Sequence, residues 1–339
     1  MVTVYKSRGT NMSKKIKKAL IALALAGIVG VSVGASACGT SKHPNARITI
    51  EFNEETYVID YMLYRNMYPQ TVQHFIELAD AGFYNDTIVH DYKSSDWVSG
   101  AYSYNAKHEV TDDAGNSTLV ASDYVSAFSR TGGLAEYLEA NSKEKEYYDL
   151  VTAGIKNGSF SASVYSRTVY DKNEKEIVDL ADALPTVIGE FSENGHKIAD
   201  NKGLKDSYGT LKMVYYKKDV KPVFVKNSFD QILPRDYAYN CATSLFSMQV
   251  SNSTQYSASK YAVFGQLKND KSKEILEDLT DAISDYATSL GSSSSWSLTV
   301  KTQVDKEDKF ADEGGRDIDV SFTMTSLPLI IRSVKITKY

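Results

Sequence analysis

The chain has 339 residues and a formal charge of −5, which falls to about −11 once the basic leader of residues 1–37 is set aside. That acidic balance argues against nucleic acid and against electrostatic docking on anionic lipid. Only Cys38 and Cys241 are present, so an exported form has no internal disulfide framework, and its length suits one large or two small domains.

The leader comes first. Lys14-Lys15-Ile16-Lys17-Lys18 precede an apolar stretch from Ala19 to Ala37, closed by Ala35-Ser36-Ala37-Cys38. A basic segment, an apolar segment and small residues before a cysteine are the parts of a bacterial lipoprotein signal peptide. The expectation is loss of residues 1–37, lipid on Cys38, and a membrane-tethered protein on the extracytoplasmic face. Each buried methylene of the lipid adds roughly 0.8 kcal/mol. An uncleaved anchor or a plain secretory signal is the competing reading, because the 19 residues from Ala19 to Ala37 could span a bilayer on length alone. Ala35 also stands where Leu is usual. Met12 opens a more typical basic segment than Met1 does.

Residues 38–46 read as the lipidated cysteine and a polar linker, and 47–339 as the folded part. Ile48, Ile50 and Phe52 alternate as one face of a strand, and Thr56 to Arg65 reads as its hairpin partner. Pro69 opens a helix with Val72, Phe75, Ile76 and Ala79 on one side, and Gly82 ends it. Ile88-Val89-His90 is a short strand. Residues 103 to about 184 are rich in Ser, Asn, Asp, Lys and Glu and read as an insertion of modest order. Helical patches fall at Leu134–Leu138 and Glu144–Ile155.

Strand patterns return at Leu211–Tyr216, Val223–Val225, Ser244–Val250 and Tyr261–Leu267. Lys271 to Leu290 is a second amphipathic helix, with Ile275, Leu276, Leu279, Ile283, Tyr286 and Leu290 on its apolar side. Trp296–Val304, Asp317–Thr325 and Leu329–Lys338 close the chain as strands. Many short strands with two separated helices predict a mainly β domain, a barrel or sandwich with helix-covered ends. The 24 tyrosines fit strand faces of such a domain. No metal-ligand spacing and no phosphate-binding glycine loop occurs, and no cofactor is expected. Cys241 reads as a small buried hydrophobe.

Five segments then carry a resemblance. Pro69-Gln70-Thr71-Val72-Gln73-His74-Phe75-Ile76-Glu77-Leu78-Ala79, followed by Gly82-Phe83-Tyr84-Asn85-Asp86-Thr87, resembles the first helix and following turn of the cyclophilin-type peptidyl-prolyl cis-trans isomerases. Ile188-Gly189-Glu190-Phe191-Ser192-Glu193-Asn194-Gly195, Gly209-Thr210-Leu211-Lys212-Met213, Lys260-Tyr261-Ala262-Val263-Phe264-Gly265 and Pro328-Leu329-Ile330-Ile331-Arg332-Ser333-Val334-Lys335-Ile336 are similar to later segments in the same order. The resemblance implies an eight-stranded antiparallel β-barrel capped by two helices, with a packed interior and a substrate groove on the outer wall. It implies proline-containing polypeptides or a surface protein as partners, and no cofactor.

Prolyl isomerisation must overcome a barrier near 20 kcal/mol set by amide resonance. An enzyme needs a donor at the prolyl nitrogen, a polar clamp and an apolar pocket. His90 matches the family's histidine, but Asp91 stands where its catalytic arginine belongs, and a carboxylate cannot donate. Trp97-Val98-Ser99-Gly100 stands where a Phe-Met-x-Gln run is usual, without the glutamine. Ser244-Leu245-Phe246-Ser247-Met248 has Leu245 where a further glutamine is usual. The resemblance thus assigns His90, Trp97, Met213, Leu245, Phe246, Tyr256 and Tyr261 to the groove and leaves no residue in the catalytic role. Arg235, Arg130 and Arg167 read as surface charges. Three readings follow: an isomerase with weak or lost activity, a non-catalytic binding module, and a transporter's solute-binding lipoprotein. The β-rich pattern speaks against the last.

Overall fold

Ala46, Ile48, Ile50 and Phe52 are buried and the residues between them are not, so β1 (Asn45–Phe52) has one inward face. β2 (Glu55–Leu63) returns through Asn53 and Glu54, with φ of 52° and 66°. Two residues at positive φ make the hairpin turn whose twist matches the strands. The computed structural model describes residues 41–104, 107–111, 117–121, 138, 141–165, 169–170, 176–177, 186–198, 203–215, 222–226, 232–236, 240–252, 261–291, 297–304 and 318–339. The leader and Cys38 lie outside them. Among the described residues no helix is long and apolar enough to cross a membrane.

After β2 come α1 (Pro69–Asp80), β3 (Thr87–Tyr92) and β4 (Asp96–Ser103). Then follow the hairpin β5 (Lys107–Thr111) and β6 (Ser117–Ala121), α2 (Glu144–Asn157), α3 (Ala162–Tyr165), β7 (Val169–Tyr170), β8 (Glu176–Ile177) and β9 (Val187–Ile188). The remainder is β10 (Leu211–Tyr215), β11 (Pro222–Lys226), β12 (Ile232–Asp236), β13 (Cys241–Gln249), β14 (Val263–Leu267), α4 (Asp270–Ser289), β15 (Ser297–Val304), β16 (Ile318–Thr325) and β17 (Ile330–Lys338).

Eight strands pair antiparallel in the order β10-β14-β2-β1-β17-β3-β4-β13, and β13 pairs back to β10, closing the ring. This is the eight-stranded barrel that the resemblance implied, and it decides between the barrel and the sandwich that the strand pattern left open. Closure leaves the ring without a free edge. β9 adds a ninth strand on β13.

The inward face can be traced across the ring. Ile48 opposes Ile59, and Leu63 shares the face of Ile59. Leu63 opposes Gly265, Gly265 opposes Leu211, Leu211 opposes Met248, and Met248 opposes Trp97. A side chain at Gly265 would press on Leu63 and Leu211. At Gly209 φ is +78°, and an added Cβ would lie 2.2 Å from Leu267 Cδ1. Only glycine fits there.

Phe75 of α1 packs its ring against Tyr84, Phe246 and Phe264. α4 lies over β2. Its Asn269 side chain caps the Ser272 N–H at 2.9 Å, and Ser272 Oγ accepts the Asp60 N–H at 3.2 Å. The expected buried side of this helix holds at Leu276, Leu279 and Ile283, whereas Leu290 is exposed.

α1 begins at Pro69, and no local side chain caps it. The buried carboxylate of Glu190 does so from 120 residues away, accepting the Gln70 N–H at 3.1 Å and the Thr71 N–H at 2.8 Å. Burial pushes the Glu190 carboxyl up, and those two amides pull against the shift. Glu190→Ala strands both donors and is expected to cost about 1–3 kcal/mol in urea unfolding. Glu190→Gln retains an acceptor and should cost less. Equal losses in the two variants would refute the capping role.

The described parts of the insertion are tied to the barrel. Ser142 bridges to Tyr102, the Ser103 N–H donates to Asn141 O at 2.9 Å, and the Lys143 N–H donates to Ala101 O at 2.7 Å. Lys143 is itself buried, with Nζ donating to Phe83 O at 2.7 Å and lying 4.7 Å from the Phe83 ring centroid. β7 and β8 join β11 and β12 in a four-stranded sheet, so the insertion pairs with a segment that follows β10. β12 was not read from the sequence.

Candidate functional site on the outer wall

Strand alternation decides which residues the outer wall presents. Phe246 opposes Met213 and Ser99 and packs on Phe75 and Tyr84. Trp97 opposes Met248. Trp97, Met213 and Phe246, all expected in the groove, therefore face the barrel interior, each 2% exposed or less. The reason is the period of two: in Leu245-Phe246-Ser247 the large ring takes the inward place, and its neighbours face out.

The outward row across four strands is then Lys212, Ser247, Val98 and Asp91, each opposite the next. Lys212 Nζ donates to Asp206 Oδ2 and to Gln249 Oε1, both at 2.8 Å, and lies 5.7 Å from the Tyr261 ring centroid. Tyr261 stacks on Tyr215 at 6.2 Å. Three directions of the ammonium are thus taken up by protein. At the other end, Lys93 Nζ donates to Asp91 Oδ2 at 2.5 Å.

Lower on the wall lie His90 and Leu245. His90 is 7% exposed and Tyr102, edge-on to it at 5.2 Å, is 4% exposed. Outward residues so thoroughly buried mean that this part of the wall is covered. Burial pushes His90 down to about 4 and Tyr102 up to about 12. At Gly100 φ is +100°, and an added Cβ would lie 2.5 Å from Ser244 O, while Ser244 Oγ donates to Gly100 O at 2.7 Å. A side chain at that place would part β4 from β13. Beside it a small cleft is lined by Ala101, Glu144, Tyr147, Thr243, Ser244 and Leu245. One wall of this cleft is the insertion helix α2.

Of the expected groove residues, His90, Leu245 and Tyr261 do not converge: they lie at three separate places, and His90 is buried. Tyr256, Arg130 and Arg167 lie outside the described residues, and Arg235 sits on β12 opposite Val223. Sequence reasoning missed the Asp206–Lys212–Gln249 set. Its signal was a lysine at an outward place of an otherwise apolar strand. No group of three or more His, Cys, Asp or Glu side chains placed to hold a metal ion occurs among the described residues.

A closed antiparallel barrel with Phe75 of α1 packed into its core defines the class to which the five ordered segments point. The chain belongs to the cyclophilin-type peptidyl-prolyl cis-trans isomerase family. The family described as "Cyclophilin type peptidyl-prolyl cis-trans isomerase/CLD" matches residues 47–221. Among solved structures, a cyclophilin-type isomerase of Cryptosporidium parvum is similar at 13% identity, covering 88% of this chain and 99% of that one, with a TM-score of 0.33. The Mimivirus cyclophilin is similar at 10% identity, over 89% and 93%, with a TM-score of 0.34. No curated protein matches the chain significantly.

Proposed function

We propose that this protein is an exported, lipid-anchored cyclophilin that binds polypeptide at the membrane surface, with prolyl isomerase activity weak or lost. The observation that carries this reading is the outward row Lys212–Ser247–Val98–Asp91. Its two ends are charged side chains already engaged by protein, and its middle is small or apolar. A twisted prolyl amide needs a donor aimed at its nitrogen. Asp91 accepts and does not donate, and the neighbouring Lys93 ammonium is held on Asp91. What this wall retains is a half-buried surface at Val98 and Leu245, with Ser247 covered between the strands. The anchor rests on Ala35-Ser36-Ala37-Cys38 after a basic and apolar leader.

Two measurements test the reading. Adding an Ala-Ala-Pro-Phe tetrapeptide to the isotopically labelled protein is expected to shift the amides of Val98, Leu245 and Ser247. Unmoved amides at a large excess of peptide would reject the binding wall. In a bacterial host, Cys38→Ser is expected to move the protein from the membrane to the soluble fraction. Retention on the membrane would reject the lipid anchor and favour an uncleaved span.

A further inference from the structure

His74 and Glu77 lie one turn apart on α1, both buried. Tyr165, the last residue of α3 in the insertion, stands between them. Its hydroxyl is 3.0 Å from His74 Nδ1 and 2.9 Å from Glu77 Oε2. On the other side, His74 Nε2 is 2.5 Å from the carbonyl oxygen of Thr243 on β13. Glu77 Oε1 accepts from Gln73 Nε2 at 2.8 Å and from the Ser161 N–H at 2.9 Å.

The row Glu77–Tyr165–His74–Thr243 has three links and needs three protons. A carbonyl brings none. A neutral imidazole brings one and a phenol brings one. An ionised carboxylate brings none, so the third proton must come from solution. With it, two arrangements satisfy every link. Either the carboxyl donates to Tyr165 and Tyr165 donates to Nδ1, or the imidazolium donates from both nitrogens and Tyr165 donates to the carboxylate. Both hold the same number of protons. Without it, one of the three links, whichever tautomer His74 takes, faces lone pair to lone pair inside the protein, which is costly in a desolvated place.

We propose that this row is a proton-operated latch, which holds α3 of the insertion against α1 while it stores one proton more than its members carry in neutral water. The groups around it are tyrosines and two carboxylates. Tyr147 of α2 is edge-on to His74 at 5.9 Å. Tyr84 acts on Tyr165, and Asp80 of α1 feels Glu77 while accepting a hydrogen bond from Tyr339. Glu190 lies at the other end of α1, on the Gln70 and Thr71 amides. Burial pushes His74 down to about 4. Tyr147 and Thr243 also line the cleft beside Leu245, so the latch fixes one wall of that cleft. The inference does not depend on the polypeptide-binding reading.

The test is hydrogen exchange of residues 161–165 in the intact protein from pH 6.5 to 8.5, corrected for the intrinsic pH dependence of exchange. Above about pH 7.5 the imidazole of the open latch is neutral, so the open row holds one proton fewer than the closed row in either arrangement. Protection is expected to fall with rising pH by up to about tenfold per pH unit, the limit for one proton. In Glu77→Gln the amide donates to Tyr165 permanently while its oxygen keeps Gln73 and Ser161. That variant should stay protected with a flat profile. Tyr165→Phe breaks two links and should lose protection at 161–165, with α4 unchanged. A flat profile in the parent, or the parent's slope retained in Glu77→Gln or in Tyr165→Phe, overturns the latch.

Discussion

Phe75→Ala is expected to lower stability by about 3–5 kcal/mol, the range for deleting a fully buried phenylalanine. The ring is fully buried and meets Tyr84, Phe246 and Phe264 at centroid distances of 5.3, 5.5 and 5.1 Å. These partners come from the turn after α1, from β13 and from β14, so the cavity would open where helix and barrel meet. The neighbours are aromatic rings held by other contacts, and they cannot collapse into the space. Urea unfolding should show a lower midpoint with an unchanged slope. A loss below about 1 kcal/mol would mean that α1 does not close the core as described.

Acid should destabilise the fold strongly between pH 6.5 and 4. His74 and His90 are both buried, and burial pushes each down to about 4. An unfolded chain holds these imidazoles near 6.5, so it binds protons over this range that the folded chain refuses. The His90 contribution is complete above pH 6.5 and is lost as pH falls towards 4, about 3 kcal/mol. Below that it is flat. At His74 the proton stored in the row with Glu77 offsets this loss, so His90→Gln should remove most of the slope. Stability that stays level from pH 7 to 4.5 would mean that the His90 imidazole reaches water.

The strands whose inward residues alternate cleanly were legible from the residues. Ile48, Ile50 and Phe52 alternate because one face of β1 meets the core and the other meets solvent. Pro69 and Gly82 bracket α1, and the 3.6-residue period of Leu276, Leu279 and Ile283 marks α4. The segment Gly189-Glu190-Phe191 was legible as a likeness, but its work was not. Nothing local says that Glu190 caps a helix that begins at Pro69.

The outer wall was the least legible part. Thr87, Ile88, Val89 and His90 are all buried, so alternation carries no sign of which face is inward. In Leu245-Phe246-Ser247 the choice between adjacent residues depends on the register with β4 and β10, and a slip of one residue reverses it. Trp97 was read outward for the same reason. The insertion hid its order because β7 and β8 are two residues each, and β7 finds its second partner in β11, more than forty residues onward. Short polar segments of that kind leave no periodic signal.

The most direct test of the whole account is proline cis-trans exchange of an Ala-Ala-Pro-Phe peptide, followed by magnetisation transfer in the presence of the intact protein. Uncatalysed exchange takes tens of seconds. A wall that offers Asp91, Val98, Ser247 and an engaged Lys212 predicts that this timescale is unchanged even where the peptide binds. Exchange quickened to well under a second would contradict the account, because a donor for the prolyl nitrogen would then have to reach this wall.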